Sequence, residues 1–353
     1  MTSSCIALTK SSVSIEQPVS SLRYDWLAAL LGILGTMGAY QDLWAHTHVP
    51  QLETFFTPWH AVLYGAFLLY AGFLAGTALL NHAKGYAWLR SMPRGYEIAL
   101  VGVFIFAVSG VGDLIWHQLF GIEKNIEALL SPTHLGLGLG GFLMKLAPLR
   151  AAWYRSREEE LLGWRALGPA LLSLVCLLTA FTFFSWFANP FVFPVAAIKA
   201  SGSLTIDFSI QGLGVASILL QVALLMGPLL LVVRRWQLPF GALTLVFTLM
   251  GVAASVPMDT YYLLPVLLLG GLGADLLLRM LKPASDRVGA LRTFAFLAPI
   301  VLYLLYFIEL ALVARVAWTI HMWMGSCLLA GVVSLLLSYM LFSPASLNGY
   351  RKQ

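Results

Sequence analysis

The sequence predicts an all-α integral membrane protein with about ten transmembrane helices and both termini inside. Three observations predict it. The 353 residues are 59% hydrophobic and only 10% charged, with a mean hydropathy of +0.84, whereas soluble domains carry about a quarter charged residues. The apolar residues lie in runs of about eighteen or more, the length that crosses a bilayer. The basic residues alternate between the connections in step with those runs.

The predicted spans are 24–46, 58–80, 97–119, 132–152, 165–188, 207–233, 238–257, 259–280, 289–314 and 317–342. With this assignment, 18 of the 21 Lys and Arg fall on one side, and only Lys124, Lys199 and Arg315 on the other. Basic loops stay in the cytoplasm, so the N-terminus faces inward, and a miscounted span would scramble the alternation. Residues 1–23 are polar and Ser-rich, without an apolar core, and read as a disordered cytoplasmic tail rather than a signal peptide. The expected organisation is that tail, a four-helix unit at 24–152, a six-helix membrane region at 165–342 and a second cytoplasmic tail at 343–353. The pI near 9.1 comes from short basic loops and does not indicate nucleic-acid binding. Cys5, Cys176 and Cys327 are far apart, with neither a disulfide framework nor thiolate-site spacing.

On this map His82 is inside, while His46, His48, His60, His117, His134 and His321 lie at or near outer helix ends. Two motifs hold most of them. The first is Asp42-Leu-Trp-Ala-His46, then Thr57-Pro58-Trp59-His60; the second is Asp113-Leu-Ile-Trp-His117, then Ser131-Pro132-Thr133-His134. Asp42 to Asp113 and His46 to His117 share an offset of 71, so the first two spans and the next two read as an internal repeat of the same orientation. Residues four apart share a helix face, which brings Asp42 to His46 and Asp113 to His117. Proline favours the first helical position, so Pro58 and Pro132 start the return helices with His60 and His134 in the first turn. Each hairpin offers one carboxylate and two imidazoles, a set that suits copper, zinc or ferrous iron. An aspartate inside a membrane helix costs roughly 2.5–3.5 kcal/mol on insertion scales, and such sites are normally paired, hydrated or metal-bound.

At these residues, over about 24–150, the chain resembles one membrane polypeptide of the copper membrane monooxygenases, the particulate methane and ammonia monooxygenases. That polypeptide has Asp-x3-His followed by Pro-x-His, then a related Asn-x3-His and Pro-x-His hairpin. Asp42, His46 and His60 match the first, with Tyr64-Gly65-x-Phe67 after it; Asp113, His117 and His134 match the second, with Asp113 where the family has Asn. Glu123 or Glu127 falls near the family's acidic pair. The resemblance implies copper near an oxygen-activating centre, and other monooxygenase-type subunits or an electron donor as partners.

His48, Glu53, Glu123, Glu127 and His321 are additional candidates as ligands or supporting groups. His48 falls outside the repeated spacing and reads first as a loop histidine. The three glutamates fit solvated or capping roles at least as well. His321 beside Met322 and Met324 suggests a soft copper relay, against the plainer reading of gap-filling methionines. Asp275 is expected to meet Arg279 one turn on, and Asp259 to cap the helix that follows it. Trp44, Trp59, Trp116 and Trp318 fit an interfacial belt. Glu158-Glu159-Glu160 reads as a solvated turn.

Three function classes follow. The first is a copper-dependent membrane monooxygenase, or a component of one, acting on a small apolar substrate. The second is a non-enzymatic copper or metal handler: a chaperone, sensor or transporter. The third, ranked well below, is a zinc or iron membrane hydrolase with Glu123 as base. An enzyme should carry an apolar cavity beside an open metal position; a handler should show water-accessible sites and no such cavity. The expected setting is a bacterial or archaeal cytoplasmic membrane, metal sites toward the outer face, with the lipid bilayer and a homo-oligomer as candidate partners and no nucleic acid.

Overall fold

The computed structural model describes residues 17–49, 55–121, 123, 126–155, 161–284 and 286–341. Residues 343–353, most of the N-terminal tail, Glu53, Lys124 and the Glu158-Glu159-Glu160 turn lie outside the described residues. The described chain is helical, with no strand: α1 Leu22–His48, α2 Pro58–Ala83, α3 Glu97–Phe120, α4 Glu127–Leu130, α5 Pro132–Lys145, α6 Ala147–Arg155, α7 Gly163–Phe184, α8 Leu204–Arg235, α9 Ala242–Ser255, α10 Leu264–Leu281, α11 Val288–Glu309 and α12 Ile320–Leu341.

Among the described residues, seven helical segments are long and apolar enough to cross a membrane: α2, α3, α7, α8, Tyr261–Leu281, Val288–Ala314 and α12. The other three predicted spans fall on helices of a different kind. α1 has 27 residues but carries Asp25 near one end and Gln41 and Asp42 near the other. α9 has only 14 residues. The fourth predicted span is not one helix: it breaks at Leu146 into α5 and α6. Pro148 is the cause, since it has no N–H for the carbonyl of Met144 four residues back. That carbonyl instead accepts from the Tyr70 hydroxyl of α2 at 3.1 Å.

α1 packs on α2 and α7, and α3 lies along α5. In the second half α8 meets α12, and α9, α10, α11 and α12 pack in succession, with α7 joining the halves through α9. The larger apolar core belongs to α7–α12, and a smaller one gathers Ala28, Tyr70, Leu74, Met92, Tyr96 and Ala99. Leu68 of α2 and Phe104 and Val108 of α3 point outward. An apolar outer surface of this kind is compatible with a lipid bilayer. α3 and α5 approach at glycines: a Cβ on Gly102 would stand 2.7 Å from the Gly140 carbonyl oxygen, and one on Gly140 would stand 2.6 Å from the Phe106 amide nitrogen. Small residues of this kind let membrane helices touch backbone to backbone.

The end of the bundle away from the Asp/His motifs is locked by a buried ion pair. Asp25, in the first turn of α1, takes a charged hydrogen bond from Arg155 at the end of α6, and the Tyr96 hydroxyl before α3 donates to its other oxygen at 2.8 Å. Asp25 is 1% exposed. Arg155→Ala leaves that carboxylate with one hydroxyl in a water-poor site, so we expect a loss of about 3–5 kcal/mol. A melting curve of purified protein in detergent checks this; an unchanged Tm would contradict it.

Three local expectations are corrected. Asp275 does not serve Arg279 on its own helix. It is buried and accepts from the backbone amides of Leu243 and Thr244 at 3.1 and 2.8 Å, and from the Thr244 hydroxyl. It therefore satisfies the unpaired first amides of α9 from across the bundle. Asp259 does not cap the following helix but pairs with His48 at 2.9 Å. Trp318 is not at the surface: it is 6% exposed and packs beside Phe307.

Candidate metal centre

The last turns of α1 place Asp42 and His46 on one face, with Oδ2 and Nε2 3.7 Å apart. The chain returns through Thr57, whose hydroxyl caps α2 by accepting from the His60 amide at 3.1 Å, with Pro58 in the first helical turn. The cap sets His60 in the first turn, and its Nε2 lies 3.3 Å from Asp42 Oδ1. The second hairpin repeats the arrangement. Asp113 and His117 are one turn apart on α3, with Oδ2 and Nε2 3.6 Å apart. Ser131 caps α5 by accepting from the His134 amide at 3.4 Å, and His134 Nε2 reaches Asp113 Oδ1 at 3.2 Å. Within each triad, one ligand atom per residue lies within 4.8 Å of the others.

The other ring nitrogens show how the imidazoles are aimed. His60 Nδ1 donates to the Phe55 carbonyl at 2.5 Å. His117 Nδ1 faces the Gly121 carbonyl at 3.3 Å and a Glu123 carboxylate oxygen at 3.1 Å. His134 Nδ1 bonds the Ser131 hydroxyl at 2.8 Å. A carbonyl and a carboxylate only accept, so His60 and His117 spend their proton on Nδ1 when neutral. Nε2 then presents a lone pair to the oxygens of an aspartate, and two acceptors facing each other require a proton or a cation between them. His117 Nε2 is buried without a hydrogen-bond partner. Second-sphere hydrogen bonds that fix the tautomer in this way are the usual support of a ligating histidine. Ligand atoms about 2.1 Å from one ion stand roughly 3.4 Å apart; each imidazole lies 3.2–3.7 Å from one or the other oxygen of its aspartate, and one atom from each of the three residues lies within 4.8 Å of the others. The residues therefore fit a divalent or monovalent transition metal at each triad.

Asp113 is held further by the Thr133 hydroxyl at 2.9 Å and the Tyr64 hydroxyl at 3.4 Å. The two triads are neighbours: the His60 and His117 ring centroids are 6.3 Å apart, with the Phe55 ring 4.8 Å from His60 and 5.9 Å from His117. Below them lies a chamber of about 130 Å³ between α1, α2, α3, α5 and α7. Asp42, His46, His60, Asp113 and His134 line one end; Leu63, Phe67, Phe106, Leu137 and Phe183 are among its walls, and Lys145 lines the other end.

The remaining candidates are placed differently. His48 stacks on Trp44, bonds Asp259 through Nε2, and belongs to neither triad. Glu123 supports His117 as described, and Glu127 is exposed at the start of α4. His321 is exposed at the start of α12, also outside both triads, with Met324 exposed and Met322 packed against the core. Glu53 lies outside the described residues. The Phe55 carbonyl, Tyr64, Thr133 and Lys145 were missed by sequence reasoning as parts of the site. Only the hydroxyl residue before each proline carried a usable signal, as a cap. No protein-family model, curated protein or solved structure matches this chain.

Proposed function

We propose that this chain is a copper-binding polytopic membrane protein, a distant relative of the copper membrane monooxygenase polypeptide it resembles, that oxidises a small, largely apolar substrate in the chamber. The observation that carries the reading is the pair of triads in which every imidazole turns Nε2 on an aspartate and three of them, His60, His117 and His134, have Nδ1 tied to a protein acceptor or a hydroxyl. Asp42, His46 and His60 would hold one ion, and Asp113, His117 and His134 the other. Bound copper supplies one-electron redox chemistry that dioxygen activation needs. Zinc or iron remains the alternative occupant of the same ligands.

The chain's own residues do the rest. The apolar walls concentrate an apolar substrate and keep water from the reacting end. Tyr64 and Thr133 hold Asp113 in place. Insertion of one oxygen atom into a C–H bond releases the other as water and consumes two electrons and two protons. A membrane quinol, which dissolves in the bilayer around the apolar helices, is the reductant class that fits. The chamber beside the triads favours this reading over a metal handler, which needs none.

The same proposal includes the finer topology: ten spans, with α9 and the broken α5–α6 pair among them, both termini cytoplasmic, the triads toward the outer face of a bacterial or archaeal membrane, and the α1–α2 and α3–α5 hairpins as a parallel repeat. The matched caps and ion-pair distances of the hairpins support the repeat. The test is incubation of copper-loaded membranes with a reduced quinol, isotope-labelled dioxygen and a short alkane or alkene. Labelled alcohol or epoxide that disappears in His46→Ala is expected. Copper-loaded protein that yields no labelled product from any such substrate would contradict the oxidative part and leave metal handling.

A further inference from the structure

Lys145 ends α5 on the side of the bundle away from the triads, beside the α5–α6 break. A lysine near a helix end in a membrane normally reaches outward to water along its flexible stem. This one does the opposite. Its Cγ lies against Gly32 of α1 and its Cε against Gly35, at 3.6 and 3.8 Å from where a Cβ would stand on each. From Gly32 to Gly35 is the direction of Asp42, so the stem climbs into the chamber toward the triads. Side chains of a helix lean toward its N-terminus, and His134 sits in the first turn of α5, which accounts for the direction. The two glycines clear the path.

Among the described residues no carboxylate forms an ion pair with Lys145, and the ionisable group acting on it is the Cys176 thiol. The side chain is half-buried and lines the chamber. A cation held among apolar walls without a partner is costly. The cheapest relief is an anion brought in by whatever fills the chamber.

We propose that Lys145 is the head-group subsite of the chamber and that its ligand is an apolar chain ending in a carboxylate. The carboxylate meets the ammonium, and the tail runs up the apolar walls toward the triads. Seven residues separate Gly35 from Asp42, a rise of about 10 Å, so the carbon presented at the triads is several bonds from the head. The site of attack on the tail rests on the metal reading above; binding at Lys145 does not.

Octanoate and octanol, of equal chain length, are the probes, titrated calorimetrically into full-length protein in detergent. The variants are Lys145→Met, which keeps the stem and removes the charge, and His60→Ala, with metal content measured on each sample. Wild type should bind octanoate more tightly than octanol. Lys145→Met should lose roughly ten- to hundredfold in octanoate affinity, the size of one charged hydrogen bond, with octanol unchanged and its Tm no lower than wild type. Octanoate binding should persist in His60→Ala even where metal is lost, which separates this proposal from the metal reading. Equal octanoate binding by wild type and Lys145→Met, or tighter binding of octanol than octanoate by wild type, would overturn it.

Discussion

Replacing His60 with alanine is expected to remove the metal ion of the first triad and leave that of the second, halving the bound metal. The imidazole is the only ligand of its triad supplied by α2; without it Asp42 and His46 remain, two groups on one helix face. Two ligands hold a transition metal far more weakly than three in a fixed frame. The same logic applies to His134 in the second triad, supplied by α5. A milder variant separates a metal site from a hydrogen-bonded polar cluster. Ser131→Ala removes the hydroxyl that bonds His134 Nδ1 at 2.8 Å, while the three ligands stay. Loss of such a supporting bond typically costs 10- to 100-fold in metal affinity. Competition with a chelator of known affinity measures it. Ser131→Ala and His60→Ala that both keep wild-type metal content and affinity would contradict the assignment.

Gly140→Ala should damage the second triad without touching a ligand. Its new Cβ would stand 2.6 Å from the Phe106 amide nitrogen and 2.8 Å from the Gly102 carbonyl oxygen, both backbone atoms of α3. No flexible side chain can yield there, so α3 and α5 must separate. His134 lies six residues away on α5, about 9 Å along the axis, and its distance to Asp113 depends on that contact. Overpacking costs about 1–3 kcal/mol, and metal at the second triad should weaken along with the melting temperature. Gly65→Ala is the control, because a Cβ there meets nothing within 4 Å. Equal metal affinity and Tm in Gly140→Ala and wild type would contradict the role given to the close approach.

Much of this was legible from the residues because the physics is local. Hydropathy located helices at every predicted segment, and the Asp-x3-His spacing put each pair on one face because a helix turn is nearly four residues long. Pro58 and Pro132 announced helix starts for the same kind of reason. The rest depended on partners distant in sequence. Pro148 breaks the fourth segment, but the compensating hydroxyl comes from Tyr70. His48 and Asp259 are 211 residues apart, and Asp275 caps a helix that begins 33 positions earlier, at Ala242. Lys145 read as one more basic residue of an inward connection. Its entry into the chamber follows from Gly32 and Gly35 of α1, which no pattern within α5 could reveal.

Copper titration followed by EPR on detergent-purified full-length protein tests the central claim most directly. The triads lie close, with His60 and His117 rings 6.3 Å apart. Two Cu(II) ions per chain are predicted, each with nitrogen-ligated signals, broadened near saturation by their mutual coupling. His60→Ala should abolish the broadening and leave a single sharp signal. Protein that takes up no copper, zinc or iron, or that binds copper with signals unchanged by His60→Ala and His117→Ala, would contradict the account.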